Sequence, residues 1–375
     1  MRLPHSRAVA SSLLAAALLA ACEGGGPTPP PPGALVVTSA GRLERSSVVT
    51  LTATRDGQPV PAGEVSWTVT PGGAAEVLAG GQLRLLQAGD VEVRAAAGGR
   101  TGTLQLRVAA PPAVVFDMTV NGNRDLYRVA LDGGDLTRLT THTADDRDPS
   151  AGGGKVAFVS FRTGNPELWS VPLAGGTETR ITTTGAAESA PALSADGQRL
   201  AYASDASGVA KVWTAQSTGA GGGPAAPGFG FDGSPETTPS WAPTGNRLAF
   251  VGTETGTADI YQLTLGGTPS LLAGGAFADV DPAWSPDGAT VAFASTREGD
   301  AAIFLVRVSD GVITKLTTRA GAEAEATWTA DGRLVYVEFG SGSETRLVWI
   351  DPAAPATVNP IPVTGGFPRR PSAAQ

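Results

Sequence analysis

The chain has 375 residues, enough for more than one domain, and its 50 Gly and 29 Pro punctuate it too often for long helices, so turn-rich β-structure is expected. A formal charge of −8 disfavours a nucleic-acid partner, which would need a basic face. His5 and His142 are the only histidines and Cys22 the only cysteine, which excludes a disulfide framework and any Cys/His metal site of ordinary ligand count.

Residues 1–21 read as an export signal: Arg2 and Arg7 precede an apolar run from Ala8 to Ala21 broken only by Ser11 and Ser12. The run ends in Leu19-Ala20-Ala21-Cys22, which resembles the lipobox of bacterial lipoproteins. The resemblance implies cleavage before Cys22 and acylation of its thiol and its new amine, so that lipidation at Cys22 anchors the chain to a membrane. Several acyl chains hold stably where one, at about 0.8 kcal/mol per buried CH₂, would be marginal. A cleavable signal with an incidental cysteine is the alternative. Glu23 stands where an Asp would resemble an inner-membrane retention signal of Gram-negative lipoproteins, so the expected location is the outer membrane, facing the periplasm or the cell surface. Residues 22–33 combine flexible glycines with a stiff proline run and have no apolar content, which makes them a tether. Loss of Arg2 and Arg7 with the signal leaves a mature charge of about −10.

Residues 34–110 alternate short apolar runs with turn chemistry. Val48 to Thr54 is followed by Arg55-Asp56-Gly57, then by Glu64 to Val69, Gln82 to Leu86, Val91 to Ala95 and Thr103 to Val108. Such spacing predicts a β-sandwich with Trp67 as a core aromatic. The segments Leu51-Thr52-Ala53-Thr54, Val65-Ser66-Trp67 and Ala88 to Val93 resemble the bacterial Ig-like group 2 pattern, which implies a spacer or adhesion module; spacer is preferred because no aromatic or charged cluster stands out.

From Ala113 a repeat takes over. Its clearest copy is Asp279-Val280-Asp281-Pro282-Ala283-Trp284-Ser285-Pro286-Asp287-Gly288. With Pro282 as the ruler, its equivalents are Pro149, Pro191, Pro239, Ala326 and Pro371, at successive intervals of 42, 48, 43, 44 and 45 across the six copies. A four-stranded propeller blade needs about 40–45 residues. A second run recurs as Val114-Val115-Phe116, Val156-Ala157-Phe158, Leu200-Ala201-Tyr202, Leu248-Ala249-Phe250, Val291-Ala292-Phe293 and Leu334-Val335-Tyr336, and a third run ends in an aromatic or follows the same alternation six times. The period of 2 rules out a helical solenoid, and residues 113–375 are expected to form six blades. The chain begins this region at a second strand and ends on an orphan first strand at Arg369 to Ala373, so the C-terminal strand is expected to close the ring and remove an open edge. Thr218 to Pro224 is inserted before the last strand of the third repeat.

Trp284-Ser285-Pro286-Asp287-Gly288, Ser194-Ala195-Asp196-Gly197 and the Arg-Leu-Thr or Arg-Ile-Thr endings at 138–140 and 180–182 resemble the repeats of TolB-type six-bladed β-propellers, over Ala113 to the C-terminus. The expected fold class is therefore all-β, an Ig-like β-sandwich followed by a six-bladed β-propeller. TolB proteins carry an α/β domain before the propeller, whereas this chain has the Ig-like run.

Related propellers precede serine-peptidase domains, but this chain has no Gly-x-Ser-x-Gly elbow, and its only mature histidine, His142, falls in a loop. Glycines sit in turns rather than in Walker or dinucleotide motifs, and no cofactor is implied. One constellation repeats. Three residues before the ruler proline stand Asp146, Glu188, Glu236, Asp279 and Glu323, with Asp148, Asp281 and Glu325 as a partial second tier two residues on. The five acids either bond backbone or basic groups of neighbouring strands, Arg138, Arg180 and Lys315 among them, or form an acidic channel mouth that binds a cationic protein segment or a cation such as calcium. No calcium-loop spacing and no dedicated metal site is present. The functional expectation is a monomeric, non-catalytic envelope lipoprotein whose propeller binds or scaffolds an envelope protein or a cell-wall glycan. The alternatives are a carbohydrate-active enzyme using channel carboxylates and structural display without a ligand.

Overall fold

The computed structural model describes residues 33–218, 233–342 and 344–374. Cys22 and its signal, most of the tether, and the last strand of the third repeat lie outside the described residues. The chain divides into two compact units, through Pro111 and from Pro112. Among the described residues no helix is long and apolar enough to cross a membrane.

The first unit holds two antiparallel sheets. One orders Leu35–Ala40, Val48–Arg55, Gln82–Leu85 and Ala75–Leu78, with Gln58–Pro59 paired to the end of Val48–Arg55; the other orders Ser66–Thr70, Gly89–Ala97 and Arg100–Val108. Alternation puts Val49, Leu51, Leu83 and Leu85 from the first sheet and Val91, Val93, Leu106 and Val108 from the second into one core, against which Trp67 packs. The run expected to start at Glu64 starts at Ser66, because Ala62–Glu64 turns as a short 3₁₀ segment.

The second unit holds six antiparallel sheets in chain order. Five have four strands, and the third sheet shows three among the described residues. The first strands are Asp146–Gly152, Glu188–Leu193, Glu236–Trp241, Asp279–Trp284 and Ala322–Trp328 for sheets two to six. Sheet one takes its corresponding strand from Phe367–Ala374, which pairs antiparallel with Ala113–Val120, Ala374 opposite Ala113.

Apolar clusters join each sheet to the next. Phe116 of sheet one packs in a cluster with Val335, Val337 and Leu347 of sheet six, so the sheets close on themselves. Within five of the sheets the aromatics of the second and third runs stand opposite one another. Phe116 pairs in register with Tyr127, Phe158 with Trp169, Tyr202 with Trp213, Phe250 with Tyr261 and Phe293 with Phe304. Ring centroids lie 6.0 Å apart in the first of these pairs and 5.9 Å in the fourth. Each fully buried ring contributes about 1.5–3 kcal/mol and each such pair about 0.5–1.5 kcal/mol more, and the apolar clusters shared by neighbouring sheets carry the packing between them.

The recurring polar motifs are local braces. In Ser285-Pro286-Asp287-Gly288 the Ser285 hydroxyl donates to Asp287 Oδ1 at 2.5 Å and accepts from the Thr290 N–H at 3.0 Å, while Gly288 takes the left-handed φ of +68° that closes the turn. In the Arg-Leu-Thr and Arg-Ile-Thr endings the Thr140 and Thr182 hydroxyls accept from Leu126 N–H at 3.0 Å and Leu168 N–H at 2.8 Å.

Candidate functional site

Every first strand carries a bulge at the same place. Register breaks between Arg147 and Ser150, Ser189 and Ala192, Thr237 and Ser240, Val280 and Ala283, Ala324 and Thr327, and Arg369 and Ser372. The bulged residue precedes the ruler proline and lies in the left-handed region: Asp148 at φ 52°, Ala190 at 46°, Thr238 at 43°, Asp281 at 55°, Glu325 at 57° and Arg370 at 50°. Left-handed backbone at a non-glycine residue is uncommon and costs of order 1–3 kcal/mol when strained. A bulge re-aims its side chain, and here all six converge. They and their C-terminal neighbours line one central cavity of about 120 Å³.

Charge in this ring is lopsided. Sheets five, six, one and two contribute Asp281, Glu325, Arg370 and Asp148, while sheets three and four contribute Ala190 and Thr238. Arg370 Nη1 stands 3.1 Å from Asp281 Oδ1, and its Nε stands 3.3 Å from Glu325 Oε1 and 3.7 Å from Asp148 Oδ1. Glu325 also accepts from the Arg370 N–H at 2.7 Å and from Arg369 Nε at 3.0 Å. Behind the ring lies Asp117, fully buried, whose Oδ1 accepts from the Asp148 N–H at 3.3 Å and whose Oδ2 is 3.4 Å from Arg124 Nε.

Environment pushes these carboxyls apart. Burial raises Asp117 to about 7, with Arg124 opposing and Asp148 and Glu325 adding to the rise. Asp281 is raised by burial against the pull of Arg370. Burial acts upward on Glu325 as well, yet the hydrogen bonds from Arg369 and the charge of Arg370 bring it below the ordinary carboxylate value. The Arg370 guanidinium, desolvated but surrounded by Asp281, Glu325, Asp148 and Asp117, is held more firmly protonated than usual.

The five acids expected at a channel mouth are elsewhere. Asp146, Glu188, Glu236, Asp279 and Glu323 are all buried and do not line the central cavity. The bulge intervenes between them and the ring, so a two-residue spacing along the strand does not keep them on the same face as Asp148, Asp281 and Glu325. Asp146 is gripped by Arg162 Nη2 at 3.0 and 2.9 Å, and Asp279 by Arg297 Nη2 at 2.6 Å. Glu236 meets Lys211 Nζ at 3.1 Å, and Glu188 accepts from the Thr182 hydroxyl at 3.1 Å and from the Thr184 hydroxyl at 2.5 Å. Burial lifts Glu188 to about 7, with the Thr184 hydroxyl opposing and Glu167 adding. The partners named from sequence differ too: Arg138 pairs with Asp125 at 2.6 Å, Arg180 with Glu167 at 2.8 Å and Lys315 with Glu298 at 3.2 Å. Arg370, the cation of the ring, is visible in the sequence only as a departure of the sixth copy from the acidic pattern.

Sheets closed around a polar channel define a β-propeller architecture. The model of the TolB beta propeller domain matches residues 109–222 and 230–357, and the chain belongs to that family. Among solved structures, TolB from Acinetobacter baumannii is similar at 16% identity, TM-score 0.63 and 83% coverage of each chain. A putative TolB from Agrobacterium tumefaciens shows 19% identity and TM-score 0.55, with 68% of this chain and 91% of that one covered. A chain of a nidogen/laminin complex gives 11% identity and TM-score 0.56 over 70% of this chain and 98% of its own length. At these identities the likeness is one of fold. Among curated protein sequences nothing matches.

Proposed function

We propose that the chain is a non-catalytic binding or scaffold lipoprotein of the cell envelope, anchored through Cys22, spaced from the membrane by the tether and an Ig-like unit, and presenting a six-bladed propeller. The observation that carries the reading is the gathering of Asp148, Asp281, Glu325 and Arg370 at one cavity by the bulges of their strands, because a charged cluster re-aimed into a shared cavity is suited to a ligand. Three carboxylates against one guanidinium leave that ring negative, and a mature charge of about −10 adds attraction. The expected partner is therefore a cationic segment of an envelope protein, with a cell-wall glycan the other candidate.

The test is capture from envelope extract at low salt, using the mature acylated chain and its Asp148→Asn/Asp281→Asn double variant. The wild type should retain a partner that the variant loses, and intact mass of the same preparation should begin at an acylated cysteine. Equal capture by both would remove the channel from the reading, and an unacylated mature chain would remove the anchor.

One observation favours a second reading as a carbohydrate-active enzyme. Asp281, raised by burial, and Glu325, held below the ordinary range by Arg369 and Arg370, both line the cavity, and such a split in affinity for the proton separates an acid from a base. Turnover of a polysaccharide that disappears in Asp281→Asn would establish it.

A further inference from the structure

Sheet six breaks a rule that sheets two and five keep. In those two sheets the buried acid of the first strand faces a serine of the second strand, Asp146 opposite Ser160 and Asp279 opposite Ser295. Two residues beyond each serine an arginine folds back over the acid. Arg162 donates from Nε to Ser160 Oγ at 2.7 Å and from Nη2 to Asp146, and Arg297 donates from Nε to Ser295 Oγ at 3.0 Å and from Nη2 to Asp279. Each guanidinium also lies against aromatic rings, Arg162 at 4.4 Å from the Trp169 centroid and Arg297 at 5.2 Å from that of Phe293.

In sheet six Glu323 faces Glu338, and the residue two beyond is Gly340. Where sheets two and five hold a guanidinium, this one holds a cavity, lined among others by Glu323, Glu338, Gly340, Arg319, Arg346 and Glu344. Glu323 is 2% exposed, no basic side chain pairs with it, and no hydrogen bond of ordinary geometry reaches its carboxylate oxygens, the Thr317 hydroxyl being its one polar neighbour close enough to act on it. Tyr336, in the register position of Phe293, is buried with its hydroxyl unpartnered. Arg346 and Arg319 both pair with Glu338. The lining thus sets three carboxylates against two guanidiniums, a formal excess of one negative charge. An unpaired buried carboxylate is costly, and a group supplied from outside would offset that cost.

We propose that this cavity binds one guanidinium group, presented either by a small free guanidine compound or by an arginine side chain of a partner protein. The site supplies groups like those the arginines of sheets two and five find within their own sheets: the buried Glu323 carboxylate, the Glu338 carboxylate as a second oxygen acceptor and the ring of Phe339. A planar guanidinium fits such a setting better than a compact, strongly hydrated ammonium. Burial raises the Glu323 carboxyl, the nearby Thr317 hydroxyl opposes the rise, Glu338 adds to it, and Arg319 and Lys315 pull down; a bound cation would draw it further down. The site lies within one sheet and stands independently of the channel reading.

Isothermal titration of the mature chain at low salt with ethylguanidine, an N-acetylated arginine tripeptide amide and butylamine tests it, the first and last being single cations of similar size. Ethylguanidine should bind, butylamine should bind at least about tenfold more weakly, and Glu323→Gln should weaken ethylguanidine by about tenfold or more. A tripeptide as strong as ethylguanidine identifies a protein arginine as an acceptable source, and a tripeptide that fails restricts the site to small compounds. Gly340→Arg should supply the missing arginine from within: the Gly340 backbone is not left-handed, and a Cβ there would sit 3.3 Å from Glu344 Cβ, within reach of a small shift. That variant should melt higher and lose ethylguanidine binding; if it does not fold, Glu323→Gln decides alone. No binding by the wild type, or binding undiminished in Glu323→Gln, would overturn the proposal.

Discussion

Two positions on each first strand, three residues and one residue before the ruler proline, meet opposite fates. Asp279 is sealed between strands and paired with Arg297; Asp281, two residues on, faces the central cavity and shares Arg370 with Glu325. Sequence chemistry does not separate them, since both are aspartates in one strand. The bulge does, by turning the backbone left-handed at the second position. The same acid is therefore a structural staple at one position and a ligand-facing group at the other, and substitutions two residues apart should have effects of different kinds.

The largest difference should come from Asp279→Ala. It strands the Arg297 guanidinium in a nearly closed site, and removing one partner of a buried pair costs about 3–5 kcal/mol. Chemical denaturation should show that loss with an unchanged m-value, and a variant as stable as wild type would erase the distinction between the two positions.

A smaller and pH-dependent effect should come from Asp117, which sits behind the ring. Its folded-state pKa of about 7 lies above the ordinary value of 3.8, so it binds its proton more tightly in the folded chain. The stability this contributes is fully present below about pH 4 and is lost as pH rises through 7. Asp117→Asn, which keeps the shape without the titration, should match wild type in acid and exceed it above neutrality by on the order of a few kcal/mol. Melting curves that stay parallel across that window would place Asp117 outside the coupling.

Asp148→Asn should change stability least, by about 0–1 kcal/mol, because its pairing with Arg370 is long, at 3.7 Å, and partly exposed. If its melting temperature fell as far as that of Asp279→Ala, the ring would be structural like the buried set.

Much of the fold is legible because it is written in periodic side chains. The alternation of Val114-Val115-Phe116 and its equivalents, and the Ser-Pro-Asp-Gly turn at 285–288, identify strands and hairpins by local chemistry alone. The orphan first-strand copy at Arg369 to Ala373 is visible in the same way, and the structure pairs Phe367–Ala374 with Ala113–Val120. The site is less legible. A bulge leaves no mark in a hydrophobicity pattern, so the alternation expected to hold Asp279 and Asp281 on one face fails there. The proline that comes after five of the six left-handed residues marks the repeat length, while the residue before it carries the site. The cavity in sheet six is hidden for another reason. Gly340 looks like any turn glycine until it is aligned with Arg162 and Arg297, and that alignment needs the strand register.

The pairing of Ala374 with Ala113 gives the second unit a circular order. A linear chain normally has a first and a last layer, each with one bare side, and must devote residues to capping them. Here every sheet has two neighbours, so no repeat is terminal and none needs a polar outer face. The same geometry makes the number of repeats an all-or-nothing quantity. A solenoid that loses one unit is merely shorter, whereas a ring that loses one sheet leaves a gap that its last strand cannot span. Tolerance to change must therefore lie in the connections between strands, where the interval of 48 between Pro191 and Pro239 already shows added length.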